Sequence, residues 1–191
     1  LADGTVTIDV SVTDRSGNTG SSSLEVIVNT VTPAIGINTL AADDVINATE
    51  KGADLQLSGT SNQPEGTTII VTLNGVNYTA VADASGNWSV TVPASAVSAL
   101  GEATYTVTAS VTDSVGNSAS ASHDVLVDSS LPVVTLNTLA GDNIVNAAEV
   151  AAGQTLTGSV ANAAPGDTVT LTLGGKTYTA VVQDDLTWSL P

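Results

Sequence analysis

The sequence predicts an all-β fold, built as tandem seven-stranded β-sandwiches arranged end to end. Two observations carry that prediction. Short runs rich in Val, Thr, Ile and Leu alternate apolar and polar residues, clusters of Gly, Asn, Asp and Pro separate them, and no stretch keeps a helical period. The chain also repeats itself. Val111-Thr112-Asp113-Ser114-Val115-Gly116-Asn117 restates Val12-Thr13-Asp14-Arg15-Ser16-Gly17-Asn18, and 113 minus 14 is a shift of 99 residues. Pro132 and Leu136-Asn137-Thr138-Leu139 restate Pro33 and Ile37-Asn38-Thr39-Leu40 at the same shift. Tyr78 and Trp88 return as Tyr178 and Trp188, displaced by 100, so one residue enters near Pro165-Gly166. A period of about 100 residues is a whole small sandwich, roughly twice the length of most solenoid repeats.

Residues 1–29 align with the last part of the repeat and are expected to be the F–G hairpin of a preceding domain. Residues 33–128 span a complete repeat, and 132–191 correspond to strands A to E of a following one. Within the complete repeat the alternation places strand A at 34–40, B at 54–60, C at 67–73, C′ at 76–82, E at 87–92, F at 103–112 and G at 119–127. Asn74-Gly75 makes a tight turn between C and C′, because both residue types tolerate positive φ. Seven strands in one repeat fit an immunoglobulin-like sandwich. Tyr105, at the start of F, is the candidate for the tyrosine that ties the E–F corner to backbone. The linkers 29–33 and 128–132 are short and end in Pro33 and Pro132, where proline breaks ladder pairing, so little slack is expected between domains.

Composition narrows the functional classes. With 42% hydrophobic residues, each repeat can bury one modest core. The chain has no Cys, which removes disulfide and thiol chemistry. Nineteen acids stand against Arg15, Lys51 and Lys176, for a formal charge of −16. That excess repels nucleic acid and anionic lipid and attracts cations. No apolar run has the length of a membrane span, so membrane insertion is not expected.

The Asp-x-x-Gly-Asn run at 113–117, the Asp128 to Pro132 junction and the loop Asp43-Asp44-Val45-Ile46-Asn47-Ala48-Thr49-Glu50 resemble the bacterial Ig-like repeats of giant secreted adhesins, with the biofilm-associated proteins of enterobacteria nearest in character. The resemblance covers the whole chain. It implies an extracellular or cell-surface location and a role in cell adhesion and biofilm formation. The repeats of that family extend a binding tip away from an anchor, and acidic junctions in many members hold calcium.

Strand parity gives an independent argument about where the acids lie. If A runs up, the A–B and E–F loops fall at the C-terminal pole, while the B–C, C′–E and F–G loops fall at the N-terminal pole. Asp43, Asp44 and Glu50 should then face Asp128 at the second junction, and Asp113 and Asn117 should approach the linker near Asn29 at the first. Calcium takes six to eight oxygen ligands of the kinds these loops carry. Ordinary turn chemistry explains the same residues, since Asp, Asn and Gly also cap and tolerate left-handed backbone. Both readings stay open at this point.

Other features favour packing. Trp88 shares one face of strand E with Val90 and Val92, which places it in the core rather than on a sugar-binding surface. His123 has no second His or Cys with which to share a transition metal and is read as a strand-end packing residue. Paired acids such as Asp43-Asp44 adjoin in loops instead of facing each other across a cleft, and no nucleophile has a base beside it, so the chain is read as non-enzymatic. The expected partners are neighbouring repeats of the same chain, with other adhesin rods or biofilm matrix beyond them. A ligand-binding module for a glycan or host protein is the alternative, and near-identity of the loops between repeats favours the spacer. Because 1–28 supplies the strands that 132–191 lacks, a hairpin of one molecule could also complete the sandwich of another.

Overall fold

The structure, a computed structural model, describes residues 1–191. It divides into two compact units, Leu1–Ser129 and Ser130–Pro191. No helix is long and apolar enough to cross a membrane.

The first unit opens with the hairpin β1 (Gly4–Thr13) and β2 (Thr19–Val28), a two-stranded sheet in register from Gly4 opposite Val28 to Thr13 opposite Thr19. A complete sandwich follows. One sheet has the order β3 (Ile35–Ile37), β5 (Leu55–Ser61), β8 (Asn87–Val92). The other runs β4 (Val45–Ile46), β10 (Ser118–Val127), β9 (Ala103–Thr112), β6 (Thr68–Leu73), β7 (Val76–Val81). Alternation decides which side chains meet between them. Leu57, Ile69, Val71, Val107, Val111 and Val125 are fully buried or nearly so, while their neighbours in sequence point outward.

The expected strands from B to G lie within a residue of the observed ones. Strand A differs. It stops at Ile37, the chain turns through 38–44, and Val45–Ile46 pairs in parallel with Leu126–Val127 of the opposite sheet. The cause is local: Ala41, Ala42 and Asp44 all adopt positive φ, and the Asp44 carboxylate accepts from the Leu40 N–H at 2.8 Å, so an extended run to residue 40 cannot form. Two short helices also appear in a chain whose pattern shows none. α1 (Ala94–Ser98) follows Pro93, with Asp54 accepting from the Ala94 N–H at 2.7 Å.

The turn at Asn74-Gly75 has φ of 49° and 75°, as a two-residue hairpin requires. Tyr105 accepts from the Gly101 N–H through its hydroxyl at 2.9 Å and closes the E–F corner. Trp88 is buried over Gly59, its cross-strand partner, and donates to the Gly36 carbonyl at 3.2 Å. A Cβ on residue 59 would lie 1.9 Å from that carbonyl oxygen and 2.5 Å from the indole, so only glycine fits beneath the ring.

The second unit repeats the first strands: β11 (Val133–Val134), β12 (Leu156–Ala161), β13 (Thr168–Leu173), β14 (Lys176–Val181) and β15 (Thr187–Leu190), with α2 (Ala147–Ala152) in its A–B loop. β12 pairs with β11 and β15, and β13 pairs with β14. Trp188 is buried over Gly158 as Trp88 is over Gly59.

Candidate functional site

The acids of this chain sit mostly in hydrogen-bonded turns, and each turn follows from its sequence. In Asp113-Ser114-Val115-Gly116-Asn117 the carboxylate oxygen Oδ1 accepts from the N–H groups of Val115 at 3.0 Å and Asn117 at 2.8 Å. Gly116 supplies the positive φ that lets the Asp113 and Asn117 backbones meet. Asp14 to Asn18 and Asp83 to Asn87 use the same construction. Burial acts to raise the Asp113 pKa, but the hydrogen bonds from Asn117, Val115 and Gly116 outweigh it and hold the carboxyl below its ordinary value.

The expected approach of Asp113 and Asn117 to the first linker is present. Oδ2 of Asp113 accepts from Nδ2 of Asn29 at 3.1 Å and of Asn117 at 2.9 Å, and Nδ2 of Asn117 also donates to the Asn29 carbonyl at 3.1 Å. One carboxylate, two side-chain amides and one main-chain carbonyl thus close around each other across a sequence distance of more than 80 residues. Side-chain amide nitrogens stand against the oxygens here, and the cluster supplies fewer donors than the six to eight that calcium takes.

At the second junction the residues are placed differently from the expectation of a shared carboxylate cluster. Asp44 accepts from the Leu40 N–H and from Nε2 of His123 at 2.8 Å, joining the A–B loop to β10. The Leu40 N–H holds the Asp44 carboxyl low, burial opposes this, and His123 adds to the lowering. His123 lies on the inward face of β10 as expected, and its pairing with Asp44 is the part that strand pattern did not show. Asp43 accepts from the Val45 N–H in its own turn. Glu50 closes a capping box: Asn47 accepts from the Thr49 and Glu50 N–H groups, while Glu50 accepts from the Asn47 N–H at 3.0 Å. Asn146 and Glu149 form the same box at α2. Asp128 meets the loop through its backbone, donating its N–H to the Ile46 carbonyl at 3.1 Å. No group of three or more His, Cys, Asp or Glu side chains gathers around a point where a metal ion could be held. As arranged, Asp43, Asp44, Glu50 and Asp128 do not fit one cation, because turn and cap hydrogen bonds draw at least three of the four carboxylates to local partners.

Two clasps on the linkers were not singled out from the sequence. Glu102 accepts from the Ser129 N–H at 2.9 Å and from its hydroxyl, and Nζ of Lys51 reaches Glu102 at 3.1 Å and the Ser129 hydroxyl at 3.0 Å. These bonds, the Ser129 hydroxyl foremost, pull the Glu102 pKa from 4.5 to about 2. Ninety-nine residues earlier, Asp3 accepts from the Thr30 N–H at 3.0 Å and its hydroxyl at 2.9 Å. The signal was legible: an acid and a hydroxyl recur at the same shift as the rest of the repeat.

The profile of the bacterial Ig-like domain matches residues 33–129. Among solved structures the chain is 31% identical to a Ca2+-stabilised adhesin by which an Antarctic bacterium reaches out and binds ice, with 97% of this chain and 47% of that one covered at a TM-score of 0.50. It is 32% identical to a 1.5-MDa bacterial ice-binding adhesin studied for host cell surface retention, with 98% and 63% covered at a TM-score of 0.50. The chain therefore spans about half to two thirds of the length of these relatives. A comparison with curated protein sequences finds no match. The match over 33–129 and the sandwich those residues form place this chain in the bacterial Ig-like domain family.

Proposed function

We propose that residues 1–191 are an extender segment of a large bacterial adhesin, displayed outside the cell, whose work is to hold distance between other parts of the protein. What supports this reading best is the recurrence of the linker clasp: Asp3 with Thr30, then Glu102 with Ser129. A ligand-binding loop gains from differing between repeats, whereas a spacer gains from repeating the same joint. The domains are structural and carry no catalytic role in this proposal; biofilm formation is the setting that the repeat type suggests.

Calcium is the finer part of the proposal. The net charge of −16 and the calcium-stabilised relative support cation binding at the junctions. Of the residues expected from sequence, Asp113 and Asn117 with Asn29 have the more suitable chemistry, since turning two amides would present their oxygens beside the Asp113 carboxylate. The set Asp43, Asp44, Glu50 and Asp128 would first have to release its caps and the His123 bond.

Calorimetric titration of the chain with calcium, alongside Asp113→Ala and Asp128→Ala, tests this. Saturable heat that disappears in Asp113→Ala assigns the first junction, and loss in Asp128→Ala assigns the second. Absence of heat, with the same scattering profile in calcium and in chelator, refutes calcium stiffening and leaves the clasps as the joint. Saturable binding of a glycan or host protein to the isolated chain would instead favour a ligand-binding module.

A further inference from the structure

An early strand and the last strand of the complete sandwich meet along one seam. Val45 and Ile46 of β4 lie opposite Leu126 and Val127 of β10, and the two strands run parallel. The Leu126 N–H donates to the Asp44 carbonyl at 2.9 Å, and the Asp128 N–H donates to the Ile46 carbonyl at 3.1 Å. Side chains lengthen the seam in both directions. Before it, Nε2 of His123 meets the Asp44 carboxylate at 2.8 Å. Beyond it, Nζ of Lys51 donates to the Ser129 hydroxyl at 3.0 Å, and Glu102, the residue before β9, holds both Lys51 and Ser129. Ile46 and Val127 are buried, so the middle of the seam lies where little water competes for its bonds.

We propose that this seam is a mechanical clamp, the part of the repeat that carries tension when its two linkers are pulled apart. The inference rests on the extender reading, which puts the chain under tension in use. Tension reaches the sandwich through Pro33 on one side and Asp128 on the other. β3 comes first and pairs with β5 only from Ile35 to Ile37, so once it slips the pull falls on β4. The pull draws β4 towards its N-terminal end and β10 towards its C-terminal end. Because the two strands are parallel, they must slide past each other along a common axis, and the bonds of the seam are strained together. Bonds strained together share the force, whereas bonds at the end of a peeled pair break one at a time.

The backbone part of the seam follows from the fold, but its side-chain extensions are particular to residues 33–129. At the equivalent positions the chain has Leu24 for His123, Asn143 for Asp44 and Val150 for Lys51. Neither Leu24 nor Val150 has a polar side-chain atom with which to make the corresponding bond. The clamp is thus strengthened repeat by repeat through a few residues while the sandwich stays the same. Forced unfolding is governed by the rate of unfolding rather than by equilibrium stability, so force is the quantity that reads it.

The test stretches the whole chain in an optical trap. Since it contains no cysteine, thiol handles attach only where they are placed. Handles at Thr32→Cys and Leu131→Cys load the seam in shear. Handles at Ala48→Cys and Leu131→Cys both lie beyond the C-terminal end of the parallel pair and peel it open. The first pair should unfold the complete repeat at a several-fold higher force than the second. His123→Leu and Lys51→Val, which borrow the residues found at the equivalent positions, should each lower the force more in the first geometry than in the second. Equal forces in the two geometries overturn the proposal. So does a loss in both variants that is the same in either geometry, which would make His123 and Lys51 ordinary contributors to stability. Those two results leave the extender reading intact. That reading fails instead if the unaltered chain binds a glycan or host protein, and the difference in force between the geometries would still stand.

Discussion

Residues 33–129 and 130–191 begin with the same strands and end in different states of burial. Leu73 is 2% exposed and its counterpart Leu173 is 63% exposed; Ile46 is fully buried and Val145 is 40% exposed. Trp88 and Trp188, however, are both 2% exposed. The tryptophan site is therefore local to the sheet of strands A, B and E, where a glycine lets the indole lie flat against its neighbours. The rest of the core exists only once the F–G hairpin supplies the facing side chains. Hydrogen bonding does differ at that site, since Trp88 donates to the Gly36 carbonyl while the buried Nε1 of Trp188 has no partner.

The largest expected effect is in stability. A fully buried Val or Leu is worth about 1.5–3 kcal/mol, and of their apolar side chains residues 130–191 bury only Ala180, Val182 and Trp188 where residues 33–129 bury a full core. In denaturant, Trp188→Phe and Trp88→Phe chains should report separate transitions, with Trp188 exposed well before Trp88. Coincident transitions would show that the two units unfold together. Next, Gly59→Ala should destabilise the complete sandwich by about 3 kcal/mol or more, the upper range for forced overpacking, read as a lower midpoint for Trp88 with Trp188 unaffected. Gly158→Ala should cost less, because the strands around Trp188 face a two-stranded sheet instead of a five-stranded one and can move apart more easily.

A smaller effect separates the two units in the opposite direction. Gly86 has φ of 78° in the complete sandwich, and the second unit places Leu186 there with φ of 61°. A left-handed leucine costs about 1–2 kcal/mol, so Leu186→Gly should raise the midpoint of the second unit by about 1 kcal/mol after the added freedom of the unfolded chain is counted. An unchanged midpoint would show that the strain is relieved elsewhere.

The smallest effect is that of the exposed clasp at Glu102. Its pKa is lowered on folding, so its contribution is complete above about pH 4.5, declines as pH falls and is gone below about 2. Thermal melts across that window should show Glu102→Gln losing the part of the pH dependence that this carboxyl supplies. Lys51→Met should retain most of it, because Ser129 is the larger cause of the shift. Equal pH dependence in Glu102→Gln and the unaltered chain would remove the clasp from the account.

Period-two alternation made strands B through G legible, because half-buried strands must place apolar residues on one side only. The approach of Asp113 to Asn29 was also legible, since strand parity decides which loops share a pole. Strand A misled because its break comes from backbone at Ala41, Ala42 and Asp44 entering the left-handed region, and alanine carries no mark of that conformation. The role of Glu50 was hidden in a different way. Asn47-Ala48-Thr49-Glu50 satisfies the capping-box pattern as well as an acidic ligand pattern, and the short turn it starts has no helical period to reveal it.

By itself the sequence determined the repeat length, the strand alternation, the turn residues and the charge, which are all properties of residues close together or related by one shift. Only the tertiary structure decided which polar groups spend their hydrogen bonds on which partners. His123 with Asp44 and Lys51 with Glu102 and Ser129 join residues 51 to 79 positions apart. Such pairings depend on distances of about 3 Å between atoms on different strands and loops, and those distances are set when two sheets close on a shared core.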